Sequence, residues 1–229
     1  MFYHHHLLHQ PNNTSSPFWG AFLGAFFAFV FGLVTYVITK RRERFVLHKN
    51  TLIKLDRSLN KHLNDLSVLK EILEDSMRVA SENKVPSNRL FKLELPENIE
   101  MDLGSIRLVN KFFSYRLSTD QLNFNTATIN HTLTRVEDLF INGQPVRTEN
   151  FQFIRGTLEK FLVELPKFNE QTIELLLLTR VHQNKLKEAN SFIQGVFKTQ
   201  WEQTITQKEV SEERAILEQE IQFGTTDDS

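Results

Sequence analysis

Four histidines near the start of the chain are the residues whose type and spacing come closest to a metal site. Neutral imidazoles this close together could bind a transition metal, or could gain protons in mild acid. The tail around them contains no Cys, Asp or Glu to complete a ligand set, so we predict neither a metal site nor a cofactor there. The four residues are His4, His5, His6 and His9.

The remaining titratable residues show no spacing typical of catalysis. Two acidic pairs, Glu74–Asp75 and Glu212–Glu213, are adjacent in sequence, so their carboxylates point to different sides of a helix. The chain has no phosphate loop, no GxGxxG, no GxSxG and no paired metal-ligand motif. We therefore expect no enzyme activity. The other histidines are expected to be exposed or hydrogen-bonded helix residues: His48, His62, His131 and His182.

The composition bounds the classes of protein that the chain can belong to. Its 229 residues suit one folded unit with an attachment, and 24% charged with 40% hydrophobic residues exclude a disordered or collagen-like chain. Because it has no cysteine, disulfides, thiolate metal sites and cysteine nucleophiles are excluded. A net charge of −1 argues against direct nucleic-acid binding.

An uncharged apolar segment dominates the N-terminal part of the sequence. Residues 18–39, which read FWGAFLGAFFAFVFGLVTYVIT, are 22 residues without a charge, enough for a helix to cross a hydrocarbon core of about 30 Å. We predict a transmembrane helix here, preceded by a short extracytoplasmic tail at residues 1–17. A cleaved signal peptide is the alternative, but it would carry its positive charge before the apolar run.

The charges that flank this segment predict its orientation. No Lys or Arg precedes it, whereas Lys40, Arg41, Arg42 and Arg44 follow it at once. By the positive-inside rule the N-terminus lies outside the cell inner membrane and residues 40–229 lie in the cytoplasm. These four basic residues are also the ones expected to meet anionic membrane lipids.

Small residues recur every fourth position within the apolar segment. They are Gly20, Gly24, Ala28 and Gly32. Such a ridge lets two helix backbones approach closely in lipid, where van der Waals packing decides association. The ridge predicts a homo-oligomer, without indicating how many copies it contains.

Residues 40–82 are expected to form a basic helix or stalk beyond the membrane. Between Lys40 and Lys61 the net charge is +6, while residues 62–229 carry −7. The residues Phe45, Leu52, Leu59, Leu66 and Leu73 repeat at seven, which is typical of a coiled-coil seam. This seam could pair with a second copy or pack against later helices of the same chain, and the sequence leaves both open.

The rest of the chain predicts an all-α architecture: a linker at 83–98, a helical cytoplasmic domain at 99–223 and a tail at 224–229. Within the linker, RLFKLEL could be an extended strap or an isolated strand. A joint between helices is expected at residues 118–121, a helix stop at Asn142–Gly143, an N-cap at Asn150 and a helix end at Pro166. A helix is expected from about Asn169, and the apolar spacing extends it through Phe192 to Ile221 as one long helix or two.

The layout of the chain resembles that of a known group of proteins. A phenylalanine-rich span with small residues runs into the basic sequence KRRER at Phe18–Arg44, and a helical region without enzymatic motifs follows. In this respect the chain resembles the small membrane effectors of bacterial antiphage systems, including those encoded beside retrons. The resemblance implies a reverse transcriptase with its RNA–DNA product as regulatory partner, and inner-membrane damage with abortive infection as outcome.

Two functions follow as hypotheses. In the first, a cytoplasmic partner restrains the protein, and its release lets the transmembrane helices associate and perturb the membrane. In the second, the span is only an anchor, and the helical domain is an adaptor or sensor that binds a cytoplasmic protein.

Overall fold

The computed structural model describes residues 17–96, 99, 103–188 and 206–224. All regular elements within these ranges are helices, which confirms the predicted all-α class with one long apolar N-terminal helix. The chain divides into two compact units, Met1–Arg44 and Phe45–Ser229. The helices are α1 (Pro17–Ser81), α2 (Ile106–Ile141), α3 (Thr148–Glu188) and α4 (Gln207–Gly224).

The core of the second unit is built on one repeated spacing. Buried residues follow one another at alternating steps of three and four along α1, α2 and α3, as in coiled-coil helices. On α1 they are Leu52, Leu55, Leu59, His62, Leu66, Leu69, Leu73, Ser76 and Ala80. On α2 they are Leu108, Phe112, Tyr115, Thr119, Leu122, Thr126, Ile129, Leu133 and Val136, and α3 continues the spacing from Phe151 to Leu186.

This core decides between the two alternatives for the seven-residue repeat. Leu52, Leu59, Leu66 and Leu73 are buried in one cluster with residues of α2 and α3. The repeat is therefore packed within its own chain, and its leucine face is not free to pair with a second copy.

Side-chain contacts fix the directions of the three helices. In the contacts between α2 and α3, and in those between α1 and α3, the residue numbers increase along one helix as they decrease along the other. The helix α3 is therefore antiparallel to both. It follows that α1 and α2 are parallel. The contacts are Lys111–Glu174 and Asn125–Glu164 between α2 and α3, and Asp56–Arg180 and Leu52–Gln183 between α1 and α3.

An extended strap, residues 84–96, leads from the end of α1 towards the start of α2. The amide of Asn130 donates to the carbonyl of Leu90 at 2.6 Å and accepts from its N–H at 2.9 Å. Asn123 makes the same two bonds to Leu93, both at 2.8 Å. Because these side chains satisfy the backbone, the RLFKLEL run needs no neighbouring strand, and the extended alternative is the one observed.

Two predicted boundaries in the helical domain are wrong. Residues 118–121 are not a joint, because α2 runs through them and its buried spacing continues at Thr119 and Leu122. Pro166 lies inside α3 instead of ending it. Its ring removes one helical hydrogen bond, but Leu165 and Phe168 on either side are buried, so packing keeps the helix continuous.

Of the other two boundary predictions, one is wrong and one is confirmed. Asn150 is not an N-cap, since α3 already begins at Thr148. The stop at Asn142–Gly143 is confirmed: Gly143 has φ +67°, and its N–H donates to the carbonyl of Phe140 at 3.1 Å.

Ion pairs connect α4 to α3, and Leu217 of α4 is buried in the hydrophobic core. Arg214 pairs with Glu170 at 2.8 Å and Lys185 with Glu209 at 3.0 Å. The carboxylate of Glu209 also accepts from the N–H of Thr206 at 2.7 Å, which completes a capping box at the start of α4. The helical residues expected between Phe192 and Ile205 lie outside the described residues, and so does the tail after Gly224.

Candidate membrane segment and interaction surfaces

The apolar segment, residues 18–39, keeps its large side chains on the surface. Phe29 is 68% exposed and Phe31 is 69% exposed. One helix in the described part of the chain is long and apolar enough to cross a membrane, and none of its apolar window is buried within the protein. A continuous exposed apolar surface of this kind marks a membrane or a protein interaction site, and the helix is one that could span a membrane.

The small-residue ridge of the apolar segment is open. A Cβ atom added at Gly20, Gly24 or Gly32 would meet nothing within 4 Å, and Ala28 is exposed. A larger side chain at these positions would therefore cause no clash within a single chain.

The four basic residues that follow the segment are also on the surface. Lys40 pairs with Glu43 at 3.0 Å, with both side chains more than half exposed, and Arg41, Arg42 and Arg44 are exposed. Ion pairs between exposed side chains contribute about 0 to 1 kcal/mol, so the Lys40–Glu43 pair adds little to stability.

A polar layer crosses the core of the second unit. Nε2 of His62 lies 2.9 Å from the carbonyl oxygen of Glu94, and Nδ1 lies 2.7 Å from the phenol oxygen of Tyr115. A carbonyl can only accept, so we assign the ring proton to Nε2, and the phenol then donates to Nδ1. Thr172 Oγ1 completes the layer, 3.2 Å from the phenol oxygen.

The layer joins α1, α2, α3 and the strap, and it is closed to solvent. His62 is 0% exposed, and burial lowers its pKa against the smaller opposing effects of its bond to Glu94 and of Asp65. Burial likewise raises the pKa of the Tyr115 phenol. A substrate cannot reach these groups, so their role is to hold four segments in register. The expectation that His62 is a hydrogen-bonded helix residue is confirmed.

The other described histidines have different surroundings. For His182 the expectation of an exposed or hydrogen-bonded ring is wrong, because the ring is buried with Nε2 unpartnered among the described residues. Burial, followed by the charges of His48, Lys185 and Arg107, lowers its pKa to about 4. His131 is exposed. No group of three or more metal-ligating side chains occurs in the described ranges, and His4, His5, His6 and His9 lie outside them.

A groove opens between α2 and α3. Its volume is about 360 Å³, with Leu122, Phe161 and Phe168 among its lining residues. Polar side chains line the same groove, namely Ser118, Gln121, Glu164, Lys167 and Gln171. Leu117 also lines it and is 71% exposed. The spacing of residues in the sequence did not predict this groove, because the groove depends on which faces of α2 and α3 the core leaves uncovered.

Over the described residues the fold is all-helical, with one helix long and apolar enough to span a membrane. Searches for relatives add no family to that description: no protein-family model, no curated protein and no solved structure matches the chain.

Proposed function

We propose that the chain is a single-span membrane effector, with its N-terminus outside the inner membrane and the helical unit in the cytoplasm. Association of the apolar segments through Gly20, Gly24, Ala28 and Gly32 perturbs the membrane. The observation that carries the proposal is the open ridge on an otherwise bulky aromatic helix, because close backbone approach in lipid requires such a surface.

In this proposal the chain is not an enzyme, and a cytoplasmic partner restrains it. The layout shared with retron-type antiphage effectors suggests a reverse transcriptase carrying its RNA–DNA product as that partner, with abortive infection as the consequence. The cluster Lys40, Arg41, Arg42 and Arg44 supports the orientation, since exposed basic residues beside a span favour the cytoplasmic side.

The experiment is a measurement of membrane potential and viability in a bacterium that expresses the chain by induction. Three variants are compared with the native chain: a polyleucine replacement of residues 18–39, the pair Gly24→Ile with Gly32→Ile, and the control pair Leu23→Ile with Leu33→Ile. The control introduces isoleucine at two positions away from the ridge, with no change in the number of side-chain atoms.

We expect the native chain and the control pair to lower the membrane potential, and the other two variants to leave it unchanged. Equal depolarisation by the polyleucine variant would contradict the role of the ridge. Silence of the native chain, both on induction and during phage infection, would contradict effector activity.

A second candidate function is a membrane-anchored adaptor or sensor, and the groove between α2 and α3 is the observation that favours it. An adaptor tolerates the two Gly→Ile changes and loses its partner when groove residues are changed. Tolerance of the Gly24→Ile and Gly32→Ile pair, together with loss of the partner on changes at groove residues such as Gln121, separates the adaptor from the effector.

A further inference from the structure

The exposed apolar side chains of α2 are arranged as a second stripe, opposite its core face. Ile106, Phe113, Leu117 and Phe124 each stand two residues before a buried position, which places them about 200° around the helix from it. The buried positions are Leu108, Tyr115, Thr119 and Thr126. The outer stripe therefore keeps the same steps as the core seam, and it suits a neighbouring helix that runs alongside.

The outer stripe continues onto α3 across the groove. Asn125, next to Phe124, donates to the carboxylate of Glu164 at 3.5 Å. Val163 precedes Glu164 and is 74% exposed. The exposed apolar side chains nearest the groove are Phe113, Leu117, Phe124 and Val163.

The size of this face matches what a pair of protein chains needs. The exposed parts of these four side chains amount to about 400 Å² of apolar surface. A standard interface covers about 800 Å² on each partner, and a little over half of it is apolar.

The groove carries one acidic and one basic side chain that could pair between two copies of the chain. Glu164 and Lys167 lie three residues apart on α3 and both line the groove. Within the described part of the chain neither forms an ion pair. About a two-fold axis a contact from Glu164 of one copy to Lys167 of the other occurs twice, so two copies satisfy both charges.

We propose that the α2–α3 face, comprising the outer stripe and the groove, is the docking surface for a second copy of this chain. The inference goes beyond the proposed function, because the surface belongs to the helical unit and not to the apolar segment. It assigns to a second copy the groove that the adaptor alternative would give to a different protein. Pairing buries Phe113, Leu117, Phe124 and Val163 and sets Glu164 against Lys167 of the second copy.

The test is disulfide cross-linking of the full chain in membranes, and the absence of native cysteine makes it selective. Ser118→Cys places a thiol in the groove, and Ser67→Cys places one on the exposed surface of α1 as the matched control. The expected result is a cross-linked dimer at least about fivefold more abundant for Ser118→Cys, since thiols must approach closely to form the bond.

Charge reversal then tests the identity of the occupant. In the Ser118→Cys chain, Glu164→Lys alone or Lys167→Glu alone sets like charges together and is expected to lower the dimer yield about threefold. The two reversals combined are expected to restore it. The same cross-linking experiment in a chain that also carries Gly24→Ile and Gly32→Ile distinguishes pairing through the α2–α3 face from association through the apolar segment.

Equal yields for Ser118→Cys and Ser67→Cys would overturn the proposal, as would failure of the double reversal to restore pairing. A thiol introduced by Ser118→Cys that is shielded from maleimide without forming a dimer would assign the face to a different protein, and this too would overturn it.

Discussion

The imidazole of His62 and the phenol of Tyr115 share a hydrogen bond of 2.7 Å in the core, across 53 residues of sequence. The other ring nitrogen of His62 bonds to Glu94 of the strap, and the phenol oxygen of Tyr115 also bonds to Thr172 of α3. A buried polar group without a partner is costly, so this layer favours the one alignment of α1, α2 and α3 in which both are satisfied.

Tyr115→Phe should destabilise the helical unit. The change removes the phenol oxygen and leaves Nδ1 of His62 buried without its partner, which costs about 1 to 3 kcal/mol. Denaturant unfolding of the detergent-solubilised chain measures the loss. Tyr36→Phe, at an exposed tyrosine, is the matched control and should leave the transition unchanged.

The stability of the helical unit should fall as the pH is lowered from about 6.5 to about 4. The pKa of His182 is lowered to about 4 by burial and by nearby positive charges, and that of His62 is lowered too. Both rings therefore take up protons more readily in the unfolded chain, so the folded state has its full advantage above the unfolded pKa and loses it on acidification.

The contribution of His182 alone is about 3 kcal/mol over that interval. His182→Gln should flatten the pH dependence of unfolding, whereas His131→Gln, at an exposed ring, should preserve it. An unchanged slope in the His182 variant would show that this ring is not responsible.

Asn130→Ala should loosen the strap. The change removes both bonds to Leu90 and leaves a backbone N–H and carbonyl in a part-buried setting, at a cost of about 2 to 4 kcal/mol. Hydrogen exchange at Leu90 should accelerate by at least tenfold. Asn125→Ala is the control on the same helix, because the Asn125 side chain bonds to Gln121 and Glu164 and not to the strap. It should leave that exchange rate unaltered.

Gly104→Ala should destabilise the fold more than Gly143→Ala, although both glycines have φ +67°. Either change forces a side chain into the left-handed region, at about 1 kcal/mol. At Gly104 the new Cβ would also lie 2.5 Å from Cε1 of the His48 ring, whereas at Gly143 it meets nothing within 4 Å. A comparison of the two melting temperatures isolates the contact with His48.

The sequence predicted the elements better than their connections. The uncharged run at residues 18–39, the leucines of α1 and the stop at Gly143 are local signals, and each led to the observed helix. Pro166 and residues 118–121 misled because a local helix-breaking signal was outweighed by buried neighbours, whose effect depends on tertiary packing.

The surfaces were predictable only in part. The small-residue ridge is visible as a spacing within one helix. By contrast, the groove at Ser118 and Lys167 joins residues from two helices, and the bonds from Asn123 to Leu93 cross 30 residues. Which asparagine meets which backbone amide follows from the parallel arrangement of α1 and α2, and no periodicity in one segment indicates it.

The pairing of Asp56 with Arg180 across 124 residues has a consequence for synthesis. Ribosomes add about 5 to 20 residues per second, so roughly 6 to 25 seconds separate the emergence of these two side chains. During that interval the leucine face of α1 has no α3 to cover it. In newly made chains the leucine face of α1 is therefore accessible to chaperones and to wrong partners. This exposure ends when α3 has been synthesised and packs against it.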